Sequence, residues 1–293
     1  MIEVKSCPVC GASSFKEVFK APYFRGDNEL FAIQECNECK FWVTSPRPED
    51  ADLGKYYDSA NYISHNNSSK SLMDKAYQVV RNYSLKKKVQ LISRIDNGSK
   101  SLLDYGAGTG HFLLEAKKSG WNIEGVEISG DAREVAKKDN ALELHDPEQF
   151  EVEGGKYSVI TLWHVLEHLP NLNEHLQSFY NGLQSGGKLV IAVPNHESSD
   201  SKHYGENWAA LDVPLHLWHF KKSSIQALAK KHGFVFKEAL NMPFDSFYVS
   251  LLSEKIGSAK GSSLKALTTG LKSNLKGKSD KNMSSLIYIL ERP

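Results

Sequence analysis

Cysteine is scarce and lopsided in this chain: four residues in 293, none beyond position 39. A disulfide scaffold is therefore excluded for everything that follows position 39. No apolar run approaches the roughly 20 residues that a bilayer-spanning helix needs, so membrane insertion by a helix is not expected. Neither sign of charge dominates, since 36 Lys and Arg meet 35 Asp and Glu. The global electrostatic signature of a nucleic-acid-binding protein is thus missing. The opening MIEVKSCPVC lacks the basic-then-apolar pattern of a secretory leader, and the expectation is a cytoplasmic protein. Internal repeats are also missing. What remains is ordinary globular composition, 40% hydrophobic and 24% charged, in a length that suits one large α/β domain with an attachment.

The few cysteines are ordered. Cys7-Pro-Val-Cys10 and Cys36-Asn-Glu-Cys39 are two C-x-x-C pairs with residues 11–35 between them. That spacing fits two knuckles closing a tetrahedral zinc site. Redox pairs or disulfides are the alternative; a reducing compartment argues against disulfides, and a redox C-x-x-C does not normally come as a matched set. Four thiolates close the coordination shell, so such a zinc would hold a small ribbon together and do no chemistry.

The ribbon is expected over residues 1–48, ending where SPRPED breaks regular structure. Residues 49–98 read as a linker with lid or cap helices, including one from Leu72 to Ile95. That helix carries Lys86, Lys87 and Lys88, a solvated face that could meet an anionic substrate. Residues 99–293 then alternate: strand SLLD, helix HFLLEAKKSG, strand WNIEGVE, helix GDAREVAKKDN, a weaker strand ALELH and a clear one, YSVITLW. A helix near Asn173–Leu183 and strand GGKLVIAVP follow, then an insertion over about 195–222, a helix near Ser223–His232 and strand FVFKEAL. Residues 257–283, rich in Ser, Gly and Lys, read as a mobile loop with room for one helix, and SLIYIL as a last strand. The alternation predicts an α/β fold with a doubly wound, mostly parallel, seven-stranded sheet.

The first strand-to-helix turn is LLDYGAGTGHF. Gly106, Gly108 and Gly110 let the chain turn tightly and let a ligand approach backbone N–H groups at a helix start. The dinucleotide fingerprint would need a glycine at 111, where this chain has His111. The next strand ends in Glu127, placed to accept ribose hydroxyls. With WHVLEHL after a later strand and Leu183-Gln184-Ser185-Gly186-Gly187, this set resembles the class I S-adenosylmethionine-dependent methyltransferases over about residues 70–240.

The resemblance implies S-adenosylmethionine as cofactor and a Rossmann-like methyltransferase domain behind the zinc ribbon. It implies that Asp104, Tyr105, Gly106, Gly108 and Gly110 hold the methionine end and that Glu127 holds the ribose. Ile128 would pack on the adenine, His145 or Asp146 would edge it, and Trp163 and His164 would line the sulfonium end. Tyr105 stands where a small apolar residue is more usual in the family.

TLWHVLEHLP, residues 161–170, concentrates chemistry. A helix from His164 would set His164 and His168 one turn apart with Glu167 beside them. Relatives that methylate quinone-precursor hydroxyls, or the terminal ribose of small RNAs, hold a divalent metal with a Glu-x-x-Glu-His cluster here. This chain reads His164-x-x-Glu167-His168, so the first carboxylate is missing and metal dependence does not carry over, although two histidines and a carboxylate could still ligate iron or zinc. A general base and a plain capping role are the other readings. A second cluster, NWAALDVPLHLWHF, carries Asp212, His216 and His219 between Trp208 and Trp218. Similar stretches, joined to N-terminal cysteine ribbons, occur in bacterial methyltransferases of this family, and some sugar C-methyltransferases share the partnership. The candidate catalytic residues are thus His164, Glu167, His168, His216 and His219.

The expected reaction is methyl transfer to oxygen or carbon of a small-molecule or glycan-linked acceptor, with histidine-assisted deprotonation. An RNA methyltransferase with a zinc-ribbon substrate module is the alternative. Residues 1–50 carry six Lys and Arg against eight Asp and Glu, a poor surface for phosphates. A non-catalytic zinc-ribbon interaction protein is the third reading. Composition leaves the oligomeric state open.

Overall fold

The computed structural model describes residues 1–56, 72–257 and 261–293, with residues 72–77, 279 and 280 described by backbone alone. Residues 57–71, part of the expected linker, lie outside the described residues. In chain order the elements are β1 (Phe15–Pro22), β2 (Leu30–Cys36), β3 (Trp42–Thr44), α1 (Leu72–Ile95), β4 (Ser101–Tyr105) and α2 (His111–Lys118). Then come β5 (Asn122–Val126), α3 (Gly130–Asn140), β6 (Tyr157–Trp163), α4 (Leu172–Gly182), β7 (Leu183–Pro194) and α5 (Ser199–Tyr204). The last are β8 (Trp218–His219), α6 (Lys222–Lys231), β9 (Val235–Asn241), α7 (Asp245–Gly257), α8 (Ser263–Asp280) and β10 (Ser285–Glu291).

Two sheets result, a four-stranded one in the order β1-β2-β3-β8 and a six-stranded one in the order β5-β4-β6-β7-β10-β9. β4 pairs in parallel with both β5 and β6. The larger sheet has six strands where the sequence led to an expectation of seven. The missing one is the ALELH segment, which contributes a single parallel bridge, Val126↔His145. Its first residue, Ala141, is the left-handed C-cap of α3 at φ 50. The chain is still leaving the helix there, so pairing begins too late to build a ladder.

The described chain forms two compact units. One spans Asp58–Trp163, Leu176–Val190 and Glu291–Pro293, and holds α1 to α3, β4 to β6 and the start of β7. β6 is buried along nearly its whole length, which is why it reads as a mostly apolar run rather than an alternating one. Gly110, the N-cap of α2, is left-handed at φ 80, and an added Cβ there would lie 2.8 Å from Leu142 Cδ1. Only glycine closes that turn.

The other unit spans Met1–Tyr57, His164–His175 and Ile191–Leu290. Its four-stranded sheet joins parts far apart in sequence: β3 pairs antiparallel with β8, Trp42 opposite His219 and Val43 opposite Trp218. Phe31 and Ile33 of the cysteine-bearing segment are buried with Trp208, Leu211 and Val213 of the insertion and Val249 of α7. Each such side chain contributes about 1.5–3 kcal/mol through burial. The Ser-, Gly- and Lys-rich stretch, expected to be a loop with room for one helix, is mostly that helix: α8 has 18 residues and is capped by Ser262, whose side chain accepts from Lys265 N–H. Its Gly270 would place a Cβ 2.9 Å from the Phe247 ring. The small residues that looked like loop chemistry are a close-packing face.

Candidate active site

The glycine turn and its acid sit in one compact unit. Asp104, at the end of β4, is buried and accepts from the Thr161 hydroxyl at 2.6 Å. Burial pushes its carboxyl up to about 7, against the opposing pull of that hydrogen bond and of Lys88. Glu127, also buried, accepts from Gly108 N–H at 2.7 Å on one oxygen and Ser129 N–H at 2.9 Å on the other. Burial raises its pKa in spite of those bonds. Each oxygen keeps a further lone pair, enough for two hydroxyl donors. Ile128 beside it is 70% exposed, an apolar surface left open to a flat ligand.

Other expected cofactor residues make contacts within the protein. Tyr105 is buried edge-on to Phe179, ring centroids 5.1 Å apart, so its side chain belongs to the core. Asp146 pairs with Arg133 at 2.6 Å and accepts from Glu148 N–H. His145 lies 3.4 Å from Glu124. Trp163 packs edge-on against Phe112, its indole N–H is buried without a hydrogen-bond partner, and Lys88 Nζ stands 4.2 Å over its ring. One member of the lysine run is therefore engaged with an aromatic face, which helical periodicity gave no reason to expect.

The histidines fall in the other unit. The segment from His164 is no α-helix: only Leu166–His168 forms a 3-10 turn, and His164 is left-handed at φ 60. His164 and His168 therefore do not stack on one helical face. His164 Nε2 meets Asp245 at 2.9 Å and Nδ1 faces Glu167 at 3.4 Å. Burial alone would favour the neutral ring, but the two carboxylates outweigh it and raise the pKa to about 10. His164 is a clamped cation with no lone pair to offer at neutral pH.

His168 behaves oppositely. Burial, with the neighbouring His216, pushes its pKa down to about 4, so it is neutral. Its ring stands edge-on to His216, centroids 4.5 Å apart. His216 Nδ1–H donates to the Ala210 carbonyl at 2.9 Å, which fixes the tautomer and leaves the lone pair on Nε2. Glu167 is 1% exposed, and neither carboxylate oxygen has a well-formed hydrogen bond. Ligand atoms of Glu167, His168 and His216 lie within 4.8 Å of one another. His219 is committed elsewhere: the Thr44 hydroxyl donates to the His216 carbonyl at 2.6 Å, so His219 Nε2–H donates to Thr44 Oγ1 at 3.0 Å. Burial holds the His219 ring well below its ordinary pKa.

Two contacts here have no local sequence signal. Arg25, at the tip between β1 and β2, holds Asp212 through two hydrogen bonds of 2.8 and 2.7 Å. Asp245 reaches His164 from the first turn of α7. The four cysteine sulfurs also converge within 4.8 Å, with Cys7–Cys39 at 3.5 Å and Cys10–Cys36 at 3.6 Å and no disulfide. A tetrahedron with metal–sulfur bonds of about 2.3 Å has edges of about 3.8 Å, so the donor set fits a zinc ion.

Comparison with known proteins decides the family, because the profile described as a methyltransferase domain matches residues 77–238. The chain belongs to the methyltransferases. Its chemistry is S-adenosylmethionine-dependent; Glu127 offers two buried acceptor oxygens and Ile128 an exposed apolar surface beside the glycine turn, a combination that fits a nucleoside. The methyltransferase is 20% identical over 161 residues to a ubiquinone biosynthesis O-methyltransferase of Hydrogenovibrio crunogenus, covering 50% of this chain and 67% of that one. Among solved structures it resembles a putative sarcosine dimethylglycine methyltransferase from Galdieria sulphuraria, at TM-score 0.51 and 15% identity over 75% of this chain and 88% of that one. It also resembles the geranyl diphosphate C-methyltransferase of Streptomyces coelicolor A3(2), at TM-score 0.50 and 12% identity over 78% and 87%. These likenesses show the fold of the methyltransferase and leave the acceptor to be argued from its residues.

Proposed function

We propose that this methyltransferase alkylates an oxygen, or an acidic carbon, of a small-molecule or glycan-linked acceptor, and that the His168–His216 pair takes the acceptor proton. The observation that carries the reading is Glu167: a buried carboxylate facing the His164 ring at 3.4 Å, with ligand atoms of His168 and His216 within 4.8 Å and the His216 tautomer fixed. When His216 accepts a proton at Nε2, Glu167 supplies the compensating charge. His164, already a cation, acts as a donor or electrostatic partner and not as the base. His219 and Thr44 hold the His216 backbone. The cofactor, when bound, supplies a methyl group already activated as a sulfonium. Its proposed holders are Asp104 and the backbone of Tyr105, Gly106, Gly108 and Gly110 for the methionine end, Glu127 for the ribose, Ile128 and Asp146 around the adenine, and Trp163 with His164 beyond. Cys7, Cys10, Cys36 and Cys39 are proposed to hold a structural zinc.

The acidic balance of residues 1–50 favours a non-phosphate acceptor over RNA, and the likeness to a ubiquinone O-methyltransferase favours oxygen. One observation supports a second reading, a divalent ion held by Glu167, His168 and His216, since their ligand atoms already converge. A metabolite extract incubated with enzyme and isotopically labelled methyl donor would reveal the acceptor by mass spectrometry. Turnover retained under a chelator that spares the cysteine site supports the base reading, and turnover lost with the fold intact supports the metal. Absence of any labelled product across small-molecule and glycan extracts would refute the acceptor class.

A further inference from the structure

α8 buries the wrong side for a helix in water. Ala266, Gly270, Ser273 and Gly277 share one face and are buried, while the leucines point away. Leu264, Leu267, Leu271 and Leu275 follow the helical repeat along a single stripe and are 72%, 57%, 50% and 65% exposed. Soluble helices show the reverse arrangement. Lys265, Lys272 and Lys276, exposed as well, run along the flank of the stripe at the same spacing. No acidic residue occurs in the helix before Asp280. Leu251 of α7, the helix on which α8 packs, adds to the exposed apolar surface.

We propose that the outer face of α8 is a docking surface for an anionic lipid bilayer, with the leucines entering the acyl boundary and the lysine row meeting headgroup phosphates. The charge pattern selects this occupant. A leucine stripe beside a basic row without acidic residues is the composition of a helix lying in a membrane interface. A second copy of this chain would bring like-charged rows together with no acidic partner on either helix. No described helix is long and apolar enough to cross a membrane, so the contact is peripheral.

The test is vesicle co-sedimentation of the full-length, zinc-replete protein. The probes are vesicles of phosphatidylcholine alone and of equal parts phosphatidylcholine and phosphatidylglycerol. Binding is expected to the anionic vesicles, weakened by salt. The variant L267Q/L271Q should lose about tenfold or more of that binding at an unchanged melting temperature, because both side chains are already exposed. K272E/K276E, which leaves the leucines in place, should lose binding to the same vesicles and serves as the check if the leucine variant melts early. Failure of the wild type to bind anionic vesicles would overturn the proposal. So would equal binding by wild type and both variants, or a solution dimer that L267Q/L271Q converts to monomer without any vesicle binding.

Discussion

Replacing Arg25 by methionine tests whether the N-terminal ribbon supports the histidine cluster. Arg25 makes two hydrogen bonds to Asp212, whose side chain is 11% exposed, while the arginine side chain is 36% exposed. Removing one partner of a fully buried pair costs about 3–5 kcal/mol, and an exposed pair is worth about 0.2–1 kcal/mol. A half-exposed cation on a buried carboxylate falls between, so Arg25→Met should cost about 2–3 kcal/mol. For a unit of this size that lowers the melting temperature by roughly 5–10 °C. Asp212→Asn should cost less, because it leaves a neutral amide inside and a cation that can turn to water. The double variant should match Asp212→Asn alone. The pH dependence has a definite sign. Arg25 outweighs burial and lowers the Asp212 pKa, so this stability is present above the unfolded value of about 3.9 and lost as pH falls through the lower folded value. In Arg25→Met that acid-side loss should shrink. Calorimetry should show cofactor affinity little changed, since the glycine turn belongs to the other compact unit. An Arg25→Met protein as stable as wild type, or strictly additive single variants, would refute the reasoning.

Three further outcomes are expected. Metal analysis should find one zinc per chain, and Cys36→Ser should lower the melting temperature of the histidine-bearing unit while calorimetric cofactor binding persists. S-adenosylmethionine should bind where NAD does not, and Glu127→Ala should weaken it by about 1.5–3 kcal/mol, the range for hydrogen bonds to a charged group; its affinity should rise as pH climbs through about 7, where Asp104 ionises, and Asp104→Asn should flatten that rise. His216→Ala should lower turnover by roughly 100-fold or more with cofactor affinity unchanged, as for loss of a positioned base, whereas His219→Ala should act mainly on stability, read by thermal melting.

The glycine turn and the acid after it were legible in the sequence because their parts are local. Gly106 to Gly110 follow β4 and Glu127 comes directly after β5, so short-range geometry alone sets them. The histidine cluster was half legible. TLWHVLEHLP announces polar chemistry after a buried strand, but a left-handed residue at His164 is invisible in a pattern read as helix, and it separates His164 from His168. The partners of the cluster come from remote segments. Arg25 lies 187 positions before Asp212, and no periodicity predicts a contact set by topology alone. α8 was only half legible for a different reason. Its packing face is made of glycine, serine and alanine, the residues that elsewhere mark loops, and its leucines face outward.

The pairing of β3 with β8 has a consequence for biosynthesis. The four cysteines and β3 emerge from the ribosome early. Thr44, at the end of β3, waits for His219, its partner 175 positions later. At about 5–20 residues per second, that strand edge stays open for roughly 10–35 s on each nascent chain. An open edge is a template for wrong pairing, and the protection here is brevity, since β3 has three residues. Lengthening β3 would strengthen the finished sheet and expose the growing chain.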